Sequence, residues 1–183
     1  MIQAGGFVFD LDFVISVLVV FTVLYIGAIV WVLWSRLRGA PWVPTPLRIA
    51  HKMLSMAQVQ PGEVVYDLGC GDGRILILAA RRFGARAVGV EIDPIRYLMT
   101  RILVSVLGLN ARVKVIYGDF FKQDLSQADV VTLFLLQDTN DSLSLKLIEE
   151  LRPGARLVSY KFSFSALTLL RQDEDDELFV YVK

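Results

Sequence analysis

Residues 65–74 read VYDLGCGDGR. An apolar run ends in an acid, Asp67. Gly69, Gly71 and Gly73 then alternate with Cys70 and Asp72, and Arg74 closes the stretch. Glycine lacks a Cβ, so it admits positive φ and lets a ligand approach the backbone amides closely. The stretch therefore reads as a strand, a ligand-cradling loop and the start of a helix. Two familiar loops are excluded by spacing. In the dinucleotide fingerprint the third glycine comes one residue later, and the Walker loop needs a Gly-Lys-Ser/Thr that is absent here.

Outward from this loop, apolar strands and helices alternate. Strands are expected over residues 64–68, 87–91, 113–117, 130–136 and 156–164, with two more near 166–171 and 178–182. Helices are expected over 46–58, 74–83, 94–107 and 142–151. Proline opens the third helix at Pro94, and Pro153-Gly154 stops the fourth. Nearly continuous apolar strands between helices mean a parallel sheet covered on both faces. The fold predicted is α/β: a doubly wound, mostly parallel, seven-stranded, Rossmann-like sheet with an antiparallel edge. Ligands in such sheets bind at the carboxyl ends of the strands, and the polar residues of interest fall there.

Asp67 would repel a phosphate but suits the ammonium of an amino acid. Glu91, with Ile92 beside it, ends the second strand, where a carboxylate can accept from both hydroxyls of a ribose. Asp119 can accept from an adenine amino group, and Phe120 can stack on the ring. Together with Gly69, Cys70, Gly71 and Gly73, these residues point to S-adenosyl-L-methionine as the cofactor. Cys70 reads as a small loop residue rather than a nucleophile.

At these residues the chain resembles the class I S-adenosylmethionine-dependent methyltransferases. PWVPTPLRIAHKML, VYDLGCGDGRILI with AVGVEIDP, and VVTLFLL followed by LRPGARLVSY carry a narrower likeness. They resemble the archaeal broad-specificity protein-lysine methyltransferases and the mitochondrial lysine methyltransferases that modify ATP synthase and the adenine nucleotide translocase. The resemblance implies that Val43, Pro44 and Thr45 pack over the cofactor. It also implies a protein substrate with an accessible lysine. Gln137, Asn140 and Tyr160 are the polar groups placed to orient an amine. The loop after the fourth strand, LLQDTN, lacks the Asn/Asp-Pro-Pro-Tyr of amide and adenine methylases. A membrane-dissolved quinone or lipid is the alternative acceptor.

The remaining expectations concern the N-terminus and the composition. Residues 13–34 carry no charge; as a helix they would rise about 33 Å against a hydrocarbon core of about 30 Å. The sequence thus predicts a short extracytoplasmic segment over 1–12, a transmembrane helix over 13–34 and a Pro-rich linker and cofactor lid over 35–46. The methyltransferase domain follows over 47–183. Asp10 and Asp12 before the helix, and Arg36 and Arg38 after it, predict a single-pass membrane protein with the catalytic domain in the cytoplasm. Trp31, Trp34 and Trp42 fit an aromatic belt on that side, and the lipid bilayer is the implied partner of 13–34. Helix 94–109 is apolar nearly all round, which predicts that it rests on the bilayer, the anchor helix or a second subunit, or else that extra core covers it.

Lys+Arg and Asp+Glu are both 19, so no basic field draws nucleic acid. One cysteine, Cys70, and one histidine, His51, exclude an internal disulfide and a Cys/His metal cluster, and no metal is expected. The acidic run at 173–177 reads as a hairpin turn or, alternatively, a lure for basic substrates.

Overall fold

The computed structural model describes residues 2–4, 7–37 and 43–183; within it the side chains of 2–9, 28 and 31–37 are not described. The chain divides into two compact units, Met1–Pro41 and Trp42–Lys183.

In the first unit β1 (Ile2–Ala4) pairs antiparallel with β2 (Phe7–Phe9), and α1 (Leu11–Leu37) follows. Two of its hydroxyls are absorbed by the helix itself: Ser16 donates to the Asp12 carbonyl at 2.7 Å and Thr22 to that of Leu18 at 2.8 Å. The transmembrane reading of 13–34 is corrected here. Among the described residues no helix is long and apolar enough to cross a membrane. The bilayer partner, the single-pass membrane location and the inside/outside assignment rested on that span and fall with it. The side chains of Trp31, Trp34 and Arg36, together with Arg38 and Trp42, lie outside the described residues.

The second unit opens with α2 (Leu47–Met56) and continues β3 (Val64–Leu68), α3 (Arg74–Arg82), β4 (Arg86–Glu91), α4 (Pro94–Val106) and β5 (Val113–Tyr117). A 3-10 turn (Phe120–Lys122) leads to β6 (Val130–Leu133), α5 (Gln137–Glu150), β7 (Arg156–Tyr160), β8 (Thr168–Asp173) and β9 (Leu178–Val182). The sheet runs β5-β4-β3-β6-β7-β9-β8. The first five strands in that order are parallel, and β9 lies antiparallel between β7 and β8. This is the seven-stranded Rossmann-like sheet expected.

Strand alternation divides the core between the two faces. Val65, Val130 and Val158 join the α2 and α3 residues Met53, Leu54 and Leu76. Tyr66, Val131 and Leu157 join Leu143 and Leu147 of α5. All four residues of β6 are buried, as a central parallel strand requires.

Two elements differ from the expected bounds by four residues or more at one end. Helix α5 begins at Gln137, because the amides of Thr139 and Asn140 both donate to the Leu136 carbonyl at 3.0 Å. Strand β7 ends at Tyr160, because Lys161 takes a φ of 70°. Helix α4 buries Thr100 and Val104 but exposes Ile95, Leu98, Met99, Ile102, Leu103 and Val106. The acidic turn ties α2 to the β8–β9 hairpin, with Asp176 pairing Arg48 and Lys52 and Asp173 pairing Lys52.

Candidate cofactor and acceptor site

At the end of β3 the amides of Gly69 and Cys70 both donate to the Val90 carbonyl, at 2.9 and 3.0 Å, which turns the chain over the tip of β4. Gly69, Gly71 and Gly73 take φ of 80°, 54° and 75°, a region that L side chains seldom enter. The Gly73 amide then donates to the Cys70 carbonyl at 2.8 Å, and α3 begins. No side chain fits at Gly73, since a Cβ there would lie 2.4 Å from Thr100 Cγ2.

The loop is held from two more sides. Thr100 Oγ1 donates to the Gly71 carbonyl at 2.6 Å. Glu91 accepts from the Gly71 amide through Oε2 at 2.8 Å and from the Asp93 amide through Oε1 at 2.9 Å. The Cys70 side chain is inside the core, where a Cβ on Gly89 would come within 2.6 Å of its Sγ. Burial pushes its thiol well above the usual range, which leaves it inert.

Asp67 is 5% exposed, and Thr132 Oγ1 on the neighbouring strand donates to its Oδ1 at 2.8 Å. Burial pushes its carboxyl up to about 7, the negative charges of Glu91 and Asp72 push the same way, and the Thr132 donor opposes them. A cationic group beside Asp67 would hold it ionised. Two buried carboxylates around a glycine cradle thus suit a ligand that brings an ammonium and hydroxyls rather than phosphates. S-adenosylmethionine fits this donor set.

The Pro-rich segment reaches the same loop. Arg74 Nη1 donates to the Thr45 carbonyl at 2.6 Å, while its Nε donates to Asp72 at 2.9 Å. That guanidinium holds Asp72 below the usual carboxylate range. Thr45 is buried, whereas Val43 and Pro44 are exposed. Across the sheet, Ile92 is half-buried after β4, and the Gly118 amide donates to the Glu91 carbonyl at 2.9 Å. Asp119 accepts from the Phe121 amide at 2.9 Å, capping the 3-10 turn, with Phe120 half-buried beside it.

The acceptor candidates gather at the ends of β6 and β7. Gln137 Nε2 donates to Asp141 at 2.8 Å and to the Ser163 carbonyl at 3.0 Å. Asn140 is fully buried, with Nδ2 at 3.4 Å from both Ser159 Oγ and the Phe162 carbonyl. Its Oδ1 has no partner among the described residues. Asn140 thus braces the loop after β7 from beneath, and Tyr160 alone of the three presents a half-buried ring, 4.6 Å from that of Phe134. Sequence reasoning misses Thr100, Thr132, Arg74 and Phe134. A solitary hydroxyl in an apolar strand, the Thr132 of VVTLFLL, is the one local signal that could have found any of them.

The ANTKMT methyltransferase domain matches residues 67–171, more than half of the chain. A protein-lysine N-methyltransferase of Saccharolobus islandicus is 46% identical over 129 residues, 70% of this chain and 80% of that protein. The adenine nucleotide translocase lysine N-methyltransferase of Mus musculus is 37% identical over 67% of this chain, and the chain spans 53% of its length. A solved RNA methyltransferase of Salinibacter ruber, in complex with S-adenosyl-L-homocysteine, superposes with a TM-score of 0.72 at 42% identity, covering 76% of this chain and 91% of that one. The alternative acceptor read from the sequence, a membrane-dissolved quinone or lipid, is set aside. It rested on a membrane anchor, and these relatives are named for protein lysines or RNA. With the glycine cradle, the two buried acids and these likenesses together, the chain belongs to the ANTKMT methyltransferase-domain family of S-adenosylmethionine-dependent methyltransferases.

Proposed function

We propose that this methyltransferase modifies lysine side chains of proteins. The observation that carries the reading is the 46% identity to a protein-lysine N-methyltransferase over 70% of the chain. The geometry supports it. Asp67 and Glu91 would hold the amino-acid and ribose ends of S-adenosylmethionine, and Arg74 keeps the Thr45 segment against that loop. When bound, the cofactor supplies a sulfonium methyl that an acceptor lone pair takes in one displacement, the sulfur keeping the bonding electrons.

The acceptor must arrive as a neutral amine. For a lysine with a pKa near 10.4 this costs about 4.6 kcal/mol at pH 7. Burial of the lysine and the like charge of the sulfonium beside it would favour the neutral form, so its proton passes to water. A dedicated base is not needed. RNA is disfavoured by charge: the chain has a formal net charge of +0, whereas nucleic-acid binding rests on cation–phosphate contacts.

Radiolabelled S-adenosylmethionine, the purified chain and separate protein and RNA fractions from the source cells test the reading. Label in protein, mapping to lysine by mass spectrometry, is expected. Label confined to RNA would overturn it.

A further inference from the structure

The rings of Phe134 and Tyr160 sit at the ends of adjacent strands. Register pairs Leu68 with Leu133 and Leu133 with Ser159. Phe134 and Tyr160 follow Leu133 and Ser159 directly, so the aromatic pair lies at the carboxyl ends of β6 and β7, and β6 pairs with β3, the strand that leads into the cofactor loop. The two ring centroids are 4.6 Å apart at 53°. Over both rings lies an ammonium from the chain itself. Lys161 Nζ is 5.5 Å from the Tyr160 centroid and 6.0 Å from that of Phe134. Both distances lie within the range of a cation–π contact.

Lys161 reaches this place through an unusual backbone. Its φ is 70°, and its amide is fixed by a 2.7 Å hydrogen bond to the Glu177 carbonyl. A lysine in the left-handed region is uncommon, and such backbone outliers cluster at functional sites. The loop that imposes it is braced from below by Ser159 Oγ donating to the Phe162 carbonyl, and by buried Asn140.

We infer that Phe134 and Tyr160 form the seat for the acceptor lysine, and that Lys161 occupies this seat until a substrate lysine displaces it. The inference rests on the proposed lysine specificity and names the residues that read it. Aromatic faces suit both the incoming ammonium and the methylated ammonium that leaves, since each presents a cation and an apolar stem. An internal occupant competes with substrate, so its removal acts on KM.

Steady-state kinetics on a lysine-containing peptide tests this, using the wild-type chain and K161M, K161G and K161R. K161M and K161G both remove the ammonium, and glycine also suits the positive φ. Both are expected to lower KM about two- to fivefold, the fold-change that an exposed cation–π contact commands. K161R keeps a cation over the rings and is expected to stay near the wild-type KM. F134L and Y160L are expected to raise KM. Calorimetric binding of S-adenosylmethionine checks that each variant is folded. Wild-type transfer to lysine with KM unchanged or raised in both K161M and K161G would overturn the seat alone. No transfer to lysine by the wild-type chain would overturn the seat and the lysine reading together.

Discussion

The two ends of the site are built in opposite ways. On the cofactor side, buried groups determine the glycine loop almost completely: Glu91 holds the Gly71 amide, Thr100 its carbonyl and the Val90 carbonyl both Gly69 and Cys70. On the acceptor side, the ends of β6 and β7 offer half-buried rings, a buried amide oxygen without a partner among the described residues, and a lysine in the left-handed region. The difference follows from the task. One ligand with a fixed set of polar atoms rewards a preorganised cradle. An acceptor delivered on another polypeptide needs a chemical match at one nitrogen and tolerance elsewhere.

That contrast can be broken most severely at Gly73. G73A places a Cβ 2.4 Å from Thr100 Cγ2 at a φ of 75°. Overpacking costs about 1–3 kcal/mol, and the left-handed conformation costs about 1–2 kcal/mol more for a residue with a Cβ. A large fall in melting temperature is expected, along with loss of cofactor affinity through the displaced Thr100; a thermal scan and calorimetry read both.

Next in size is Asp67. D67N removes the acid facing the expected ammonium and is expected to weaken S-adenosylmethionine binding about 10- to 100-fold at pH 8, the scale of a charged hydrogen bond. The pH dependence sharpens the assignment. The carboxyl is raised from its ordinary value of 3.8 to about 7 in the folded chain. The empty protein therefore binds this proton more tightly than the unfolded chain does. That contribution to stability is fully present below pH 3.8 and is lost as pH rises through 7. Cofactor affinity runs the other way, because the ammonium needs the ionised acid. Wild-type Kd is expected to be about tenfold higher at pH 6 than at pH 8, and that of D67N to be flat. Equal slopes for the two would remove Asp67 from the ammonium site.

Smaller effects are expected from the two threonines. T100V deletes the donor to the Gly71 carbonyl at nearly constant volume and is expected to cost about 1 kcal/mol or more of stability, read by denaturant titration, because it leaves a buried acceptor unpaired. T132V removes the donor that opposes the upward push on Asp67. It is expected to move the pH dependence of cofactor binding upward, with little change in its plateau.

The sequence shows the cofactor side far more clearly than the acceptor side, and the reason is locality. The loop declares itself within seven residues, Asp67 to Gly73, because each glycine answers a backbone requirement of its own position. Glu91 and Asp119 follow from strand ends that the alternation of elements already locates. Phe134 and Tyr160 meet only through the β6–β7 register, which no local pattern encodes. Gln137 and Asn140 read as loop residues in the sequence because the first turn of a helix is polar for the same reason a loop is. Asn140 is instead fully buried, held against Ser159 and Phe162. The apolar run at 13–34 shows the limit of composition. It announces hydrophobicity, yet the membrane span inferred from it is not supported among the described residues.

The most direct measurement is product mass on a defined acceptor. The purified chain and S-adenosylmethionine are incubated with a lysine-containing peptide, with its Lys→Arg counterpart and with total RNA, and all three are analysed by mass spectrometry. Methyl increments on the lysine peptide alone, localised to the ε-nitrogen, are the expected result. Increments on RNA with an unmodified lysine peptide would contradict a protein-lysine methyltransferase.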